Sequence, residues 1–218
     1  YRDGIYRSSD NYEDIDKVGL DTFSLRCISF DDNNYVYGGT QGQGIYRSTN
    51  DGDTWEYFGL DGYSIYAFHQ DSNGDYYAGT YSHGVFRSTN SGMSWDQLNN
   101  GLQYLSITDF MSKGSDIYLS CKGGGVFRLK RDSDTWENHT KGMKNTSISS
   151  IRYSDDGTLY VTSNVSGFFY STNGGLSWVC SGITGVNDIR NMIETSSGSI
   201  LVGTWYHGIY RSTDKGAS

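Results

Sequence analysis

The eight residues Ser48-Thr49-Asn50-Asp51-Gly52-Asp53-Thr54-Trp55 come back along the whole chain at a nearly constant interval, and this recurrence limits the fold more than any other feature. The next copy reads Ser88-Thr89-Asn90-Ser91-Gly92-Met93-Ser94-Trp95, and a further one Ser171-Thr172-Asn173-Gly174-Gly175-Leu176-Ser177-Trp178. A degraded copy keeps Asp134-Thr135-Trp136, and a last one runs from Ser212 through Asp214 and Gly216 to Ser218. Each copy follows a short apolar run opened by a glycine: Gly4, Gly44, Gly84, Gly125, Gly167 and Gly208, at intervals of 40, 40, 41, 42 and 41 residues. A repeat of about 40 residues marks an array or propeller in which each unit is one small sheet.

Within each repeat the apolar runs fall into four beats separated by turn residues, the spacing of an all-β unit. In the first full repeat the strands are expected at Leu25 to Phe30, Tyr35 to Thr40, Gly44 to Ser48 and Thr54 to Phe58. The later fourth strands are expected at Ser94 to Leu98, Thr135 to Asn138 and Ser177 to Cys180, and no helix is needed anywhere. Residues 1–20 read as the second half of a repeat, with a fourth strand near Asp14 to Gly19. Full repeats follow at 23–62, 63–103, 104–144 and 145–184, and a partial one at 185–218. Sheets this short cannot bury their faces alone, so neighbours must stack. The expectation is a single β-propeller domain of four-stranded blades, about five in number, either a closed five-bladed ring or an arc of a larger one.

Composition narrows the partners. A formal charge of -8 and a pI of about 4.8 argue against a nucleic-acid backbone or an anionic membrane surface. Mean hydropathy is -0.58, and no apolar run approaches the roughly 20 residues of a membrane helix. Proline is absent, so the turns fall to 29 glycines and to Asn, Asp and Ser. The three cysteines, Cys27, Cys121 and Cys180, lie in different repeats without a metal or disulfide spacing and read as small buried hydrophobes.

The Ser-x-Asp/Asn-x-Gly-x-Ser/Thr-Trp pattern resembles the Asp-box, or BNR, repeat of sialidase-like, xyloglucanase-like, sortilin-like and photosystem II assembly factor-like proteins. That resemblance implies a propeller with the motif in the turn between third and fourth strands. The residues alone make the motif structural: Asn50, Asn90, Asn173 and Asp214 can accept bonds from the turn's amides. Gly52, Gly92, Gly175 and Gly216 permit positive φ, and Trp55, Trp95, Trp136 and Trp178 can plug the space between sheets. Ser48, Ser88, Ser171 and Ser212 open the boxes.

The same resemblance implies a ligand face built from the loops between second and third strands and from the connections between blades. Those loops have a constant Gly-Thr and Gly frame around changing tips, the way a scaffold presents a binding surface. The expected binding residues are Gln41, Gln43, Tyr81, His83, Trp205, Tyr206 and His207 at the tips. Tyr63, Tyr104 and Asn187 lie on the connections, and Arg26, Tyr66, Asp109 and Arg190 at the starts of the first strands. Aromatic rings beside amides and cations suit a glycan or a protein ligand. No catalytic set, cofactor or metal is expected: a sialidase would bring an Arg-Ile-Pro segment, and Asp109 is a lone acid where glycoside hydrolysis uses two. The alternatives are a glycoside hydrolase fragment with incomplete catalytic groups and a structural spacer. The resemblance and composition imply a bacterial parent protein that is extracellular, on the cell surface or periplasmic.

Overall fold

The computed structural model describes residues 4–8, 13–144, 146–165, 167–181 and 189–216. Every regular element among them is a β-strand. By internal contact the chain falls into two compact units, Tyr1–Leu98 and Asn99–Ser218. The expected binding residue Asn187 lies outside the described residues.

In the first unit β1 (Ile5–Arg7) pairs with β2 (Asp16–Gly19), as a third and fourth strand would. Then come two antiparallel meanders. The first is β3 (Leu25–Phe30), β4 (Val36–Thr40), β5 (Ile45–Ser48) and β6 (Glu56–Gly59). The second is β7 (Ile65–Gln70), β8 (Tyr76–Thr80), β9 (Val85–Ser88) and β10 (Asp96–Gln97).

The second unit holds three more. These are β11 (Ile107–Lys113), β12 (Asp116–Cys121), β13 (Gly125–Leu129) and β14 (Glu137–Asn138), followed by β15 (Ile148–Tyr153), β16 (Leu159–Ser163), β17 (Gly167–Ser171) and β18 (Val179–Cys180). The last is three-stranded, β19 (Ile189–Glu194), β20 (Ile200–Thr204) and β21 (Ile209–Ser212).

The fourth strands are shorter than their sequence suggests, and the reason lies in the turn before them. Ser48 Oγ accepts the Gly52 amide at 2.8 Å and donates to Asn50 Oδ1 at 3.0 Å, while Asn50 Oδ1 accepts the Thr54 amide at 3.0 Å. Ser88, Asn90, Gly92 and Ser94 repeat these bonds, as do Ser171, Asn173, Gly175 and Ser177. The Ser212 hydroxyl holds Asp214 and the Gly216 amide in the same way. Thr54, Ser94 and Ser177 therefore belong to the turn, and the ladder begins after the tryptophan. Gly52 sits at φ +94° and Gly92 at +84°, where a Cβ on Gly92 would strike the Phe58 ring.

The tryptophans fasten one sheet to the strand before it. Trp55 donates its indole N–H to the Val18 carbonyl at 2.7 Å, and Trp178 donates to the His139 carbonyl at 2.7 Å. Trp136 is buried although its box is degraded, and the Trp95 Nε1 has no hydrogen-bond partner among the described residues.

The cores form where sheets stack. A tyrosine stands at the same place on four second strands, Tyr37, Tyr77, Tyr118 and Tyr160, and each is at most 2% exposed. Burial pushes all four hydroxyls above the usual tyrosine pKa. Tyr37 and Tyr76 both donate to Asp31 Oδ2, at 2.9 and 3.1 Å, and Asp31 Oδ1 accepts the amides of Asn33 and Tyr35. A buried carboxylate is thereby satisfied on both oxygens.

Of the three cysteines only Cys121 is fully buried; Cys27 is half-buried and Cys180 exposed. The expectation of three buried thiols fails at Cys180 because its two-residue strand lies at the outer edge of its sheet. Burial pushes the Cys121 thiol up to about 12, so it stays protonated and unreactive at neutral pH. Iodoacetamide at pH 8 is expected to label Cys180 first, Cys27 more slowly, and Cys121 only after unfolding. Mass spectrometry of the time course checks the order, and native Cys121 labelling at the Cys180 rate would contradict this burial.

Candidate functional site

In an antiparallel meander the loop joining strands two and three lies at the same end as the start of strand one. Here the two are tied together. The amides of Gln41, Tyr81 and Lys122, each the first residue of its loop, donate to the carbonyls of Ser24, Ser64 and Ser106, which precede the first strands. The Gly-Thr frame closes the loop from inside. The Thr40, Thr80 and Thr204 hydroxyls donate to the carbonyls of Gly44, Gly84 and Gly208, and accept the amides of Gln43, His83 and His207.

Every one of the five first strands carries a register shift at its second residue: Arg26, Tyr66, Thr108, Ser149 and Arg190. A bulge opposes two residues to one and re-aims the extra side chain. In three sheets that side chain meets the first residue of the loop between strands two and three. Arg26 hydrogen-bonds Gln41, Tyr66 packs at a tilt of 34° against Tyr81 with centroids 5.4 Å apart, and the Arg190 guanidinium lies 4.5 Å from the centre of the Trp205 ring. In the remaining two the bulged residue is small and turned inward. Thr108 and Ser149 donate to the backbone carbonyls of Ile148 and Ile189 on the adjacent first strands. Large bulged side chains are thus confined to three sheets, and Thr and Ser link neighbouring first strands in the other two.

In the first unit the pairs merge into one row. The Arg26 guanidinium lies 5.4 Å from the Tyr66 centroid, so Gln41, Arg26, Tyr66 and Tyr81 follow one another. Tyr63 packs edge-on to His83 at 5.0 Å and against Phe86 at 4.7 Å, which braces the second loop from behind. Gln43 is half-buried beside Thr40, whereas Gln41, Tyr81 and His83 are exposed. Among the described residues Arg26 meets no carboxylate.

In the second unit Trp205 and Tyr206 stand 60% and 76% exposed, their rings 6.2 Å apart and nearly perpendicular, with His207 exposed beside them. Tyr104 lies over the glycine loop 122–124, where a Cβ on Gly124 would fall 2.8 Å from its ring. Asp109 has a different setting. Its carboxylate accepts Arg152 at 2.5 Å and the amides of Ile151 and Phe110 at 3.1 and 3.0 Å. Burial still pushes its pKa above the usual carboxylate value, although Arg152 pulls the other way. Arg152 also reaches Asn191 Oδ1 at 3.3 Å, which Ser150 approaches at 3.2 Å. Asp109 is therefore a clamp between first strands. Asn191 belongs to the same network and was missed in the sequence, where it follows Arg190 as an ordinary polar residue.

No protein-family model matches the chain, and no curated protein matches it in sequence. Solved structures do resemble it in three dimensions. An ancestral GH74 enzyme superposes with a TM-score of 0.77 at 17% identity, covering 96% of this chain and 33% of that one. YCF48 bound to D1 peptide superposes at 0.69 and 18% identity, covering 90% of this chain and 67% of that one. A catalytically inactive virginiamycin B lyase from Staphylococcus aureus, with quinupristin, superposes at 0.68 and 15% identity, covering 87% and 70%. The chain thus spans about two thirds of the YCF48 chain and a third of the GH74 enzyme. Successive antiparallel meanders together with these likenesses define an all-β protein of the β-propeller class. At such identities the likeness is one of fold.

Proposed function

We propose that the chain is a non-catalytic recognition module of the Asp-box kind, which binds a protein partner through the loop ends of its sheets. The observation that carries this reading is the pairing of bulged residue with loop-tip residue, Arg26 with Gln41, Tyr66 with Tyr81 and Arg190 with Trp205. Such pairs hold planar groups rigid before a ligand arrives, which lowers the ordering cost of binding. Arg, Tyr and Trp are also the residues that most often dominate protein interfaces. The peptide held by YCF48, a protein of the same fold, agrees with a peptide-binding role.

A glycan is the second reading, favoured by the exposed, perpendicular Trp205 and Tyr206 rings, which offer a face to a sugar. Hydrolysis has less support, since Asp109 is engaged by Arg152 and two amides. A secreted or cell-surface bacterial protein is the setting proposed for the module.

Peptide and glycan arrays probed with the purified chain test both readings. Tyr81→Ala and Trp205→Ala are each expected to weaken binding by roughly 30-fold, the scale of an interface anchor, with thermal stability unchanged because both side chains are exposed. Full binding by both variants would remove the loop ends from the recognition surface. Release of reducing sugar that Asp109→Asn abolishes would replace the module with a hydrolase.

A further inference from the structure

The two units fill the same place between neighbouring sheets differently. In the first, the Tyr37 and Tyr76 hydroxyls both donate to Asp31 Oδ2, at 2.9 and 3.1 Å, and Phe68 stacks on the Tyr37 ring. Asp31 opens the turn after β3, Phe68 is the fourth residue of β7 and Tyr76 the first of β8. In the second unit Tyr160 holds the place of Tyr37, but Ser154, Met192 and Ile200 stand where Asp31, Phe68 and Tyr76 do. Each replacement is smaller. Beside them opens a cavity of about 720 Å³, lined by Ser154, Tyr160 and Met192 together with Asp155, Glu194 and Lys215.

Both sheets that frame this cavity belong to the chain itself. Met192 is 1% exposed and packs with Tyr160 and Ile200, and Glu194 accepts the Ser154 hydroxyl at 2.9 Å, so both side chains face the preceding sheet. The charges around the cavity do not balance. Lys215 pairs with Asp156, and Arg152 is held by Asp109 and Asn191. Among the described residues Asp155 and Glu194 form no ion pair, and Glu194 stands where the first unit has the neutral Gln70. The unmatched charge is therefore negative, and beside it lie the apolar surfaces of Met192 and Tyr153. No group of three acidic, histidine or cysteine side chains among the described residues could hold a metal ion. Carboxylates next to an apolar wall suit an organic cation, whose ammonium takes charge-assisted hydrogen bonds while its methylenes lie against the wall.

We propose that this cavity binds a primary alkylammonium group, carried by a free diamine or by a lysine side chain of a partner protein. The ammonium is held by Glu194 and Asp155, and the alkyl chain runs along Met192 and Tyr153. The site lies at the turn ends of the first strands, opposite the loop ends, so it does not depend on the ligand proposed there.

Isothermal calorimetry of the full chain with cadaverine, and with the peptide Gly-Gly-Lys-Gly-Gly, tests this. Saturable binding is expected, with pentanol and glutarate, which lack the ammonium, inert. Cadaverine bound alone marks a free diamine as the ligand, and the peptide, bound with or without cadaverine, marks a lysine side chain. Glu194→Gln and Asp155→Asn are each expected to weaken binding by about 10-fold, the scale of one charge-assisted hydrogen bond. Asp96→Asn, at an exposed acid of the first unit, is expected to leave it unchanged. All three carboxylates are exposed, so the variants are expected to match the parent chain in circular dichroism. Absence of saturable binding by either amine overturns the proposal, and so does binding that Glu194→Gln and Asp155→Asn both leave intact. An equal loss with Asp96→Asn also overturns it, since the attraction then comes from the net charge of the chain, as does equal binding of glutarate or pentanol.

Discussion

Raising the pH above 10 is expected to unfold both compact units steeply. The four second-strand tyrosines are at most 2% exposed, and burial raises each hydroxyl's pKa in the folded state. For Tyr37 the nearby Tyr76 hydroxyl and the Asp31 carboxylate add to the effect. A group whose folded pKa lies above its unfolded one stabilises fully below the unfolded value, near 10 for tyrosine. It loses that contribution as pH climbs toward the folded value. Each unit holds two of the four, Tyr37 and Tyr77 in one and Tyr118 and Tyr160 in the other. A buried tyrosine that stays protonated in the folded state removes up to about 1.4 kcal/mol per pH unit above 10, so the first unit, where Tyr37 and Tyr77 are pushed furthest, loses on the order of 3 kcal/mol per pH unit, and the second unit destabilises in the same direction. Urea midpoints by circular dichroism between pH 8 and 12 measure this, with phenolate absorbance at 295 nm rising in step with unfolding. Midpoints that stay level to pH 11.5 would show that these hydroxyls ionise freely in the folded chain.

Trp178→Ala is expected to cost about 3–5 kcal/mol, the range for a large aromatic side chain deleted from a core. Trp178 is 4% exposed and belongs to the cluster that holds Met111, Tyr118, Ile148, Ile151 and Phe169. The indole bond to the His139 carbonyl can be separated from packing by a second pair of variants. Trp178→Phe loses ring volume and that bond, whereas Trp95→Phe loses ring volume with no bond at its Nε1. The first is expected to be the costlier by about 1 kcal/mol, the net worth of one buried hydrogen bond. Equal losses in chemical denaturation would mean that the indole N–H contributes nothing to fastening one sheet to the strand before it.

Much of this architecture could be read from residues close together in the chain. The box from Ser48 to Trp55 is closed by bonds spanning two to four residues, so its chemistry is visible in eight letters. The loop tips were legible for a similar reason: Thr40 and Gly44 bracket Gln41 and Gln43 within one short segment. The candidate site was only half legible. Arg26, Tyr81, Arg190 and Trp205 could be picked out as residues, but not as partners, because the pairing rests on a bulge and on a loop tip some 15 residues away. The fourth strands are shorter than the residue pattern suggests because an Asn side chain takes the Thr54 and Ser94 amides that a ladder would otherwise use.

The sequence by itself determined the period, the four-beat sheet and the corner built from serine, asparagine, glycine and tryptophan, since these depend on short-range hydrogen bonding and steric preference. Tertiary structure alone decided which tyrosines are core and which are surface, because an amphipathic ring suits either and only the neighbouring sheet settles the matter. It also turned Asp109 from a lone acid into a clamp on Arg152 and opened a cavity beside Tyr160 in the place where Tyr37 meets Asp31 and Tyr76. Those outcomes belong to contacts between repeats, and a pattern within one repeat carries no record of them.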